Sequence, residues 1–301
     1  MKFFEKIPPY PSEKSPQKIL LNLILKILIM SEQEKDAYIL GTEEVELHRL
    51  GLQHQVWDSE AREGWRMAEF SAGQTILDLG SGPGFCTSEL GYVVGNEGKV
   101  IAVERSEVFM KFLEKIKNRH RLNIEIQNCD FKDMQLVDNS LDGAFCRWAL
   151  AWIDEPGTVI QQVSDALKPG GAFVVHEYYD WSTFQTEPTK PNLKMGIAAA
   201  LRSFIESPGN INVGRKIPEL FYEAGIEVIS VRPMAKIGQP GDLVWQWPKS
   251  FLKIYLPKLI AAGYLTKEMV ENALEELEVL EYTSGATILC PSMVEVIGIK
   301  M

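Results

Sequence analysis

Residues 75–86 read Thr-Ile-Leu-Asp-Leu-Gly-Ser-Gly-Pro-Gly-Phe-Cys, and they constrain this chain more than any other stretch. The apolar run Ile76, Leu77 and Leu79 breaks into Gly80, Gly82 and Gly84, and Phe85 through Leu90 to Val94 reads as a helix. A strand, a tight glycine turn and a helix start let a backbone press against a flat, nucleotide-like ligand. A dinucleotide fingerprint sets its third glycine three positions after the second, so that the helix packs close and its N-terminus meets a pyrophosphate. Phe85 holds that position here, and the glycines run G-x-G-x-G.

A site of this kind needs an acidic residue at the end of the next strand, where an acceptor-only carboxylate suits the two hydroxyls of a ribose. Lys99–Val103 reads as that strand, and Glu104 closes it about 20 residues beyond Gly84, the interval expected of such units. The stretch 123–128 alternates apolar and polar residues as a half-buried strand does, and it runs into Cys129, Asp130 and Phe131. Leu141–Cys146 reads as a fourth strand ending in Arg147 and Trp148. A helix over 158–167 has Val159, Ile160, Val163 and Leu167 on one face, and Lys168-Pro169-Gly170-Gly171 stops it. Ala172–Val175 is then a continuous apolar run, as in a strand covered on both faces.

Asp78 with the glycine turn resembles motif I of the class I S-adenosylmethionine-dependent methyltransferases, of the small-molecule, UbiE-like type. Leu-Lys-Pro-Gly-Gly before a fifth strand belongs to the same resemblance, which spans about residues 73–180. It implies S-adenosyl-L-methionine as cofactor, with S-adenosyl-L-homocysteine as product. The implied cofactor-binding residues are Asp78, Gly80, Ser81, Gly82, Gly84, Glu104, Arg105, Asp130, Phe131 and Arg147. In the family an Asp at the position of Asp130 accepts from the adenine amino group, and an adjacent apolar residue covers the base. The segment from Tyr38 to Trp57 looks like the helix that precedes motif I in such enzymes, with Tyr38 and Gln53 reaching the cofactor. Glu46 and Arg49 there read as a surface ion pair, and His48 and His54 as surface residues.

Five strands separated by helical segments argue for an α/β fold with a doubly wound, mostly parallel sheet. Two more strands, 227–231 and 293–299, complete seven as an antiparallel C-terminal edge hairpin. About 60 residues lie between them, far more than a hairpin needs, and they read as a helical lid. The organisation expected is an N-terminal helical extension over 1–58, a methyltransferase core over 59–234, a lid over 235–290 and the last core strand over 291–301.

A chain of 301 residues with 46% hydrophobic content can bury a large core. Its net charge of −10, with no basic cluster, argues against binding nucleic acid through phosphates. The four cysteines lie far apart and suggest neither a metal site nor a disulfide framework, which fits a cytoplasmic protein. Residues 19–30 form an apolar run interrupted by Asn22 and Lys26, too short for the ~20 residues of a stable membrane span. A cap helix, an interfacial anchor giving weak membrane association, and a dispensable extension all fit it.

Ligands of open α/β sheets bind beyond the carboxyl ends of the strands. The residues after strands four and five are therefore the candidates on the acceptor side. His176, Tyr178 and Tyr179 can orient or deprotonate a small acceptor, although such a strand-end run also fits an ordinary packed turn. Trp148, Trp152, Trp181, Trp245, Trp247 and Tyr255 can line a pocket for an apolar or aromatic molecule, or form the interior of the lid. The function expected is methyl transfer from S-adenosylmethionine to such a small molecule. A nicotinamide-dependent oxidoreductase shares the acid after strand two, but Phe85 and the Pro-Gly-Gly turn count against it. A non-catalytic S-adenosylmethionine-binding module is the other alternative.

Overall fold

The computed structural model describes residues 44–301; the apolar run at 19–30 and Tyr38 lie outside the described residues. Helix α1 (Glu44–Met67) leads into β1 (Thr75–Leu79), α2 (Phe85–Val94), β2 (Lys99–Val103), α3 (Glu107–His120), β3 (Ile124–Gln127) and β4 (Leu141–Arg147). The boundary expected at residue 58 thus falls inside α1, which is one continuous helix of 24 residues. The chain continues through α4 (Pro156–Ala166), β5 (Leu167–Asp180), β6 (Gln185–Glu187), α5 (Pro191–Ile205) and α6 (Ile217–Glu223) to β7 (Ile226–Met234). It then forms β8 (Ile237–Gly238), α7 (Leu243–Ala261), α8 (Lys267–Glu281) and β9 (Thr287–Leu289) before closing with β10 (Ser292–Lys300).

Seven strands form one sheet in the order β3-β2-β1-β4-β5-β10-β7. The first five are mutually parallel, and β10 runs antiparallel to both β5 and β7. The strand order reverses between β1 and β4, which marks the carboxyl ends of those two strands as the ligand crevice. The inserted helices α7 and α8 lie in sequence between β7 and β10, and β9 pairs with β6 on one side and β8 on the other in a second, three-stranded sheet.

Side chains alternate between the two faces of the main sheet. Leu77, Leu79, Val103, Ala144, Phe173, Val175 and Val296 point to one face, where Val159, Ile160 and Val163 of α4 and Ile217 and Phe221 of α6 cover them. Each such side chain, fully buried, contributes about 1.5–3 kcal/mol through the hydrophobic effect. On the other face Trp65 of α1 meets Phe145 edge-on at 5.4 Å. Helix α1 presses so closely there that a Cβ on Gly64 would fall 2.4 Å from Glu295 Oε2.

The sequence ends the fifth strand at Val175, whereas β5 runs on to Asp180. The reason lies outside the local sequence: β10 supplies backbone partners to this extension, with His176 opposite Glu295 and Tyr178 opposite Met293. The inserted helix α8 begins as its sequence dictates, with Thr266 Oγ1 accepting the Met269 N–H at 3.2 Å.

Candidate active site

The turn after β1 holds three glycines in the left-handed region, at φ +73 for Gly80, +54 for Gly82 and +86 for Gly84. A Cβ on Gly84 would strike Leu113 at 2.4 Å, and one on Gly80 would strike the Ala149 Cβ at 2.4 Å. A Cβ on Gly82 would meet nothing within 4 Å. Two of the glycines therefore serve close packing, and the middle one leaves its backbone open. Behind them Asp78 is buried, and its Oδ2 accepts the Thr87 hydroxyl at 2.6 Å. Burial pushes its carboxyl up to about 6.

Glu104 leaves the end of β2 and turns back over the same loop. Its Oε2 accepts the Gly82 N–H at 3.1 Å and its Oε1 the Ser106 N–H at 2.9 Å. Burial raises the Glu104 carboxyl above its ordinary range, against these two bonds and the charge of the exposed Arg105. The Ser81 hydroxyl is buried and meets no partner among the described residues. After β3, Asp130 caps a 3-10 turn by accepting the Lys132 N–H at 3.3 Å, and the ring of the next residue, Phe131, comes up against Gly80.

Helix α1 covers this loop and corrects the reading of its residues as surface groups. Glu46 and Arg49 are almost wholly buried, with Arg49 Nε and Nη2 donating to the two carboxylate oxygens at 2.8 and 2.7 Å. His54 is buried as well: its Nε2 lies 3.0 Å from Glu89, its Nδ1 lies 3.1 Å from Arg147 Nη2, and its ring stacks on Phe85. His48 is exposed. Gln53, expected to reach the cofactor, faces the aromatic side chains, and its Oε1 accepts both Arg49 Nη1 at 2.8 Å and Trp247 Nε1 at 2.9 Å.

The acceptor-side candidates separate into two groups. Trp148 follows β4 at φ +56, a strained conformation for a bulky residue. Its ring lies 5.8 Å from Trp247, 6.0 Å from Tyr178 and 6.1 Å from Trp57, under the Arg147 guanidinium at 5.1 Å. Trp152, Trp181 and Tyr255 instead pack with Phe204 and Phe251. Trp181 and Tyr255 are only 2% exposed and Trp245 is 0% exposed: Tyr255 and Trp245 build the interior of the inserted region, and Trp181, on the turn after β5, packs against it.

His176, expected at a strand end, lies inside the sheet because β5 is longer than its sequence indicates. Its Nε2 is 2.8 Å from Glu295 Oε2, and Glu295 also accepts both Nε and Nη2 of Arg232. Burial pushes the His176 imidazole below its ordinary value, and no part of it is exposed. Tyr178 points the same way as His176 and meets Trp148, whereas Tyr179 alternates to the opposite face, half-exposed under the Arg215 guanidinium.

Residues 70–225 match the model of a family described as Methyltransferase domain. The chain belongs to this family. It is an S-adenosylmethionine-dependent methyltransferase. A demethylmenaquinone methyltransferase of Desulfitobacterium hafniense is 25% identical to it over 219 residues, which span 70% of this chain and 84% of that protein. The ubiquinone/menaquinone biosynthesis C-methyltransferase UbiE of Escherichia fergusonii is 28% identical over 148 residues, 45% of this chain and 59% of that one. Among solved structures, a chain from Bacillus halodurans has a TM-score of 0.56 at 14% identity, covering 80% of this methyltransferase and 99% of that chain. The geranyl diphosphate C-methyltransferase of Streptomyces coelicolor, solved with Mg2+, geranyl diphosphate and S-adenosyl-L-homocysteine, has a TM-score of 0.52 at 14% identity, covering 82% and 80%. These two structures share its fold.

The residues of this methyltransferase whose burial its sequence hides are His54 and Trp57, whereas Glu177 reads in the sequence as one of the strand-five groups able to take a proton or bond an acceptor. A signal for the first two exists: Glu46, Arg49, Gln53, His54, Trp57, Ala61 and Trp65 form one helical stripe, and its lower half is apolar. Polar residues on a core-facing stripe are buried with partners, and that is what α1 does here. What the sequence does not show for Glu177 is its partner, the Leu150 N–H on the turn after the neighbouring strand β4.

Proposed function

We propose that this methyltransferase transfers a methyl group to a small, apolar and planar acceptor that stacks against Trp148 and Tyr178. The single observation that carries the reading is Trp148 itself, a large ring held at a strained φ of +56 at the ligand end of β4, partly exposed, with Tyr178 beside it. Strain of this kind persists where surrounding structure enforces it, and it clusters at functional sites. The relatives' names support an apolar molecule, since they specify demethylmenaquinone, ubiquinone/menaquinone biosynthesis and geranyl diphosphate.

On the donor side, Gly80, Ser81, Gly82 and Gly84 form a backbone cradle, and Glu104, Asp130 and Phe131 line it, with Asp78 and Arg147 behind and Arg105 at the rim. The fit to S-adenosylmethionine rests on three features: open space at Gly82 and a buried Ser81 hydroxyl without a partner, both among the described residues, and a Glu104 carboxylate with lone pairs left for hydroxyl donors. That cofactor supplies a methyl group already activated by its sulfonium. The protein's task is alignment and exclusion of water, and good orientation can supply about 7–11 kcal/mol. Trp148 and Tyr178 fix the acceptor plane, while α1 and the inserted helices close over them. Tyr178 is the group suited to orient an acceptor hydroxyl. Residues 59–234 then act as the donor half and 235–290 as the lid. The thiols, three of them buried, and the charge of −10 fit a cytoplasmic enzyme with no nucleic-acid partner.

Calorimetric titration with S-adenosylhomocysteine tests the donor side: wild type binds, and Glu104→Ala binds at least tenfold more weakly. Absence of binding, or equal binding by the variant, overturns it. For the acceptor, methyl transfer is assayed with a reduced demethylated naphthoquinone, with geranyl diphosphate and with cell-extract metabolites. Trp148→Ala should abolish turnover while leaving S-adenosylhomocysteine affinity within a few-fold of wild type.

A further inference from the structure

We infer that Glu177 is a positioning residue for methyl transfer, its carboxyl fixing the turn through which Trp148 and Gly80 are held in register. The inference rests on the reading of Gly80 as donor-side and Trp148 as acceptor-side. Four contacts define the turn. Trp148 N–H donates to His176 O at 3.1 Å, directly beyond the Arg147–His176 pair that ends β4. Ala149 then lies against Gly80, so tightly that a Cβ on the glycine would fall 2.4 Å from its own. Leu150 N–H donates to Glu177 Oε1 at 2.8 Å. Ala151 O accepts the Asn210 N–H at 3.0 Å.

The turn opens a single 3-10 turn over Leu150–Trp152, whose first N–H groups have no partner within the turn. Its surroundings are apolar: Leu150, Ala151, Cys146, Val175 and Val213 are all buried. A side-chain acceptor is required in such a place, and the carboxyl of Glu177, 0% exposed, is what reaches it. The backbone N–H groups of Ala149 and Ala151 also bear on this carboxyl, while its Oε2 finds no partner of full hydrogen-bond geometry among the described residues. A carboxyl buried at that cost on a strand whose neighbours are Val175 and His176 is explained by the turn it holds, not by packing. Removing the oxygen frees Leu150 N–H, and the displacement passes to Ala149, which is in contact with the glycine loop, and through it to Trp148, whose φ of +56 this turn helps to hold.

Three variants test this. Glu177→Gln keeps an oxygen acceptor of the same length, Glu177→Asp keeps the carboxyl but withdraws it by one methylene, and Glu177→Leu removes it. Thermal midpoint and S-adenosylhomocysteine affinity by calorimetry are measured on each. The expected pattern is wild-type affinity within about twofold for Glu177→Gln and a loss of at least tenfold for Glu177→Asp and Glu177→Leu, with circular dichroism unchanged. A lowered midpoint with unchanged affinity in Glu177→Asp makes the residue merely structural and overturns the inference. If Glu177→Leu does not fold, the Gln and Asp pair decides alone. Failure of wild type itself to bind S-adenosylhomocysteine removes the donor reading and this inference with it, an outcome distinct from a variant that behaves as wild type.

Discussion

The imidazole of His54 and the guanidinium of Arg147 meet at 3.1 Å, Nδ1 to Nη2. A guanidinium only donates, so His54 Nδ1 is bare and the ring proton sits on Nε2, directed at Glu89 Oε1 3.0 Å away. The Cys86 thiol, pushed up to about 12 by burial and so kept protonated, lies 3.7 Å from the same bare nitrogen and agrees with that tautomer. Helix α1 is thereby tied to the end of β4 and to α2 at once. Long-range proton–nitrogen NMR should show Nδ1 of His54 as the unprotonated nitrogen. A protonated Nδ1 would place the guanidinium elsewhere.

Two buried acids set the alkaline side of stability. Burial pushes Asp78 up to about 6 from 3.8 and Glu177 up to about 8 from 4.5. Both folded values lie above the unfolded ones, so the native state holds extra protons and stability falls as pH rises, from about 4 to 6 for Asp78 and from about 4.5 to 8 for Glu177. For Glu177 the part between pH 6 and 8 is roughly 2 kcal/mol. Urea unfolding at pH 6 and pH 8 should show this fall in wild type and a smaller one in Glu177→Gln.

Gly82→Ala and Gly84→Ala should part company. Alanine at 84 meets Leu113 and a left-handed backbone, which together cost about 2–4 kcal/mol in denaturant unfolding. Alanine at 82 meets only the backbone strain, about 1 kcal/mol, yet its methyl group enters the space beside the loop. S-adenosylhomocysteine affinity should therefore drop more per unit of lost stability in Gly82→Ala.

Breaking the Glu46–Arg49 pair from one side leaves a buried charge. Glu46→Ala should lower unfolding free energy by about 3–5 kcal/mol, and the double change to a methionine pair should recover most of it. Equal losses in single and double variants would show that the pair is not buried in solution.

Burial raises Cys86 and Cys290 to about 12 and Cys146 well above its ordinary value, whereas Cys129 is raised less and is partly exposed. A thiol reagent applied to folded protein at pH 8 should modify Cys129 first, with the other three reacting only on unfolding. Peptide mapping after a timed quench reads this directly.

The glycine turn and the acid beside it were legible in the sequence because their determinants are local: Asp78, the three glycines and the helix start lie within a dozen residues, and Glu104 follows after one helix. The aromatic cluster was not. Trp57, Trp148, Tyr178 and Trp247 come together only when α1 and the insertion meet each other over the ends of β4 and β5, a relation that no spacing along the chain encodes. His176 misled for the same reason, since its burial depends on β10, more than a hundred residues away. Trp148, by contrast, was legible in residue and position, though nothing in its neighbours announced a positive φ.

The inserted helices leave the chain at β8 and return at β9, and those two short strands pair with each other. The excursion therefore begins and ends at one place, like a loop of rope tied at a single knot. Its length and contents can change without altering the register of β7 against β10 or the parallel strands that carry the glycine turn. The glycine turn and the inserted helices thus belong to separately anchored parts of the chain, and the second can be replaced while the first stays as it is.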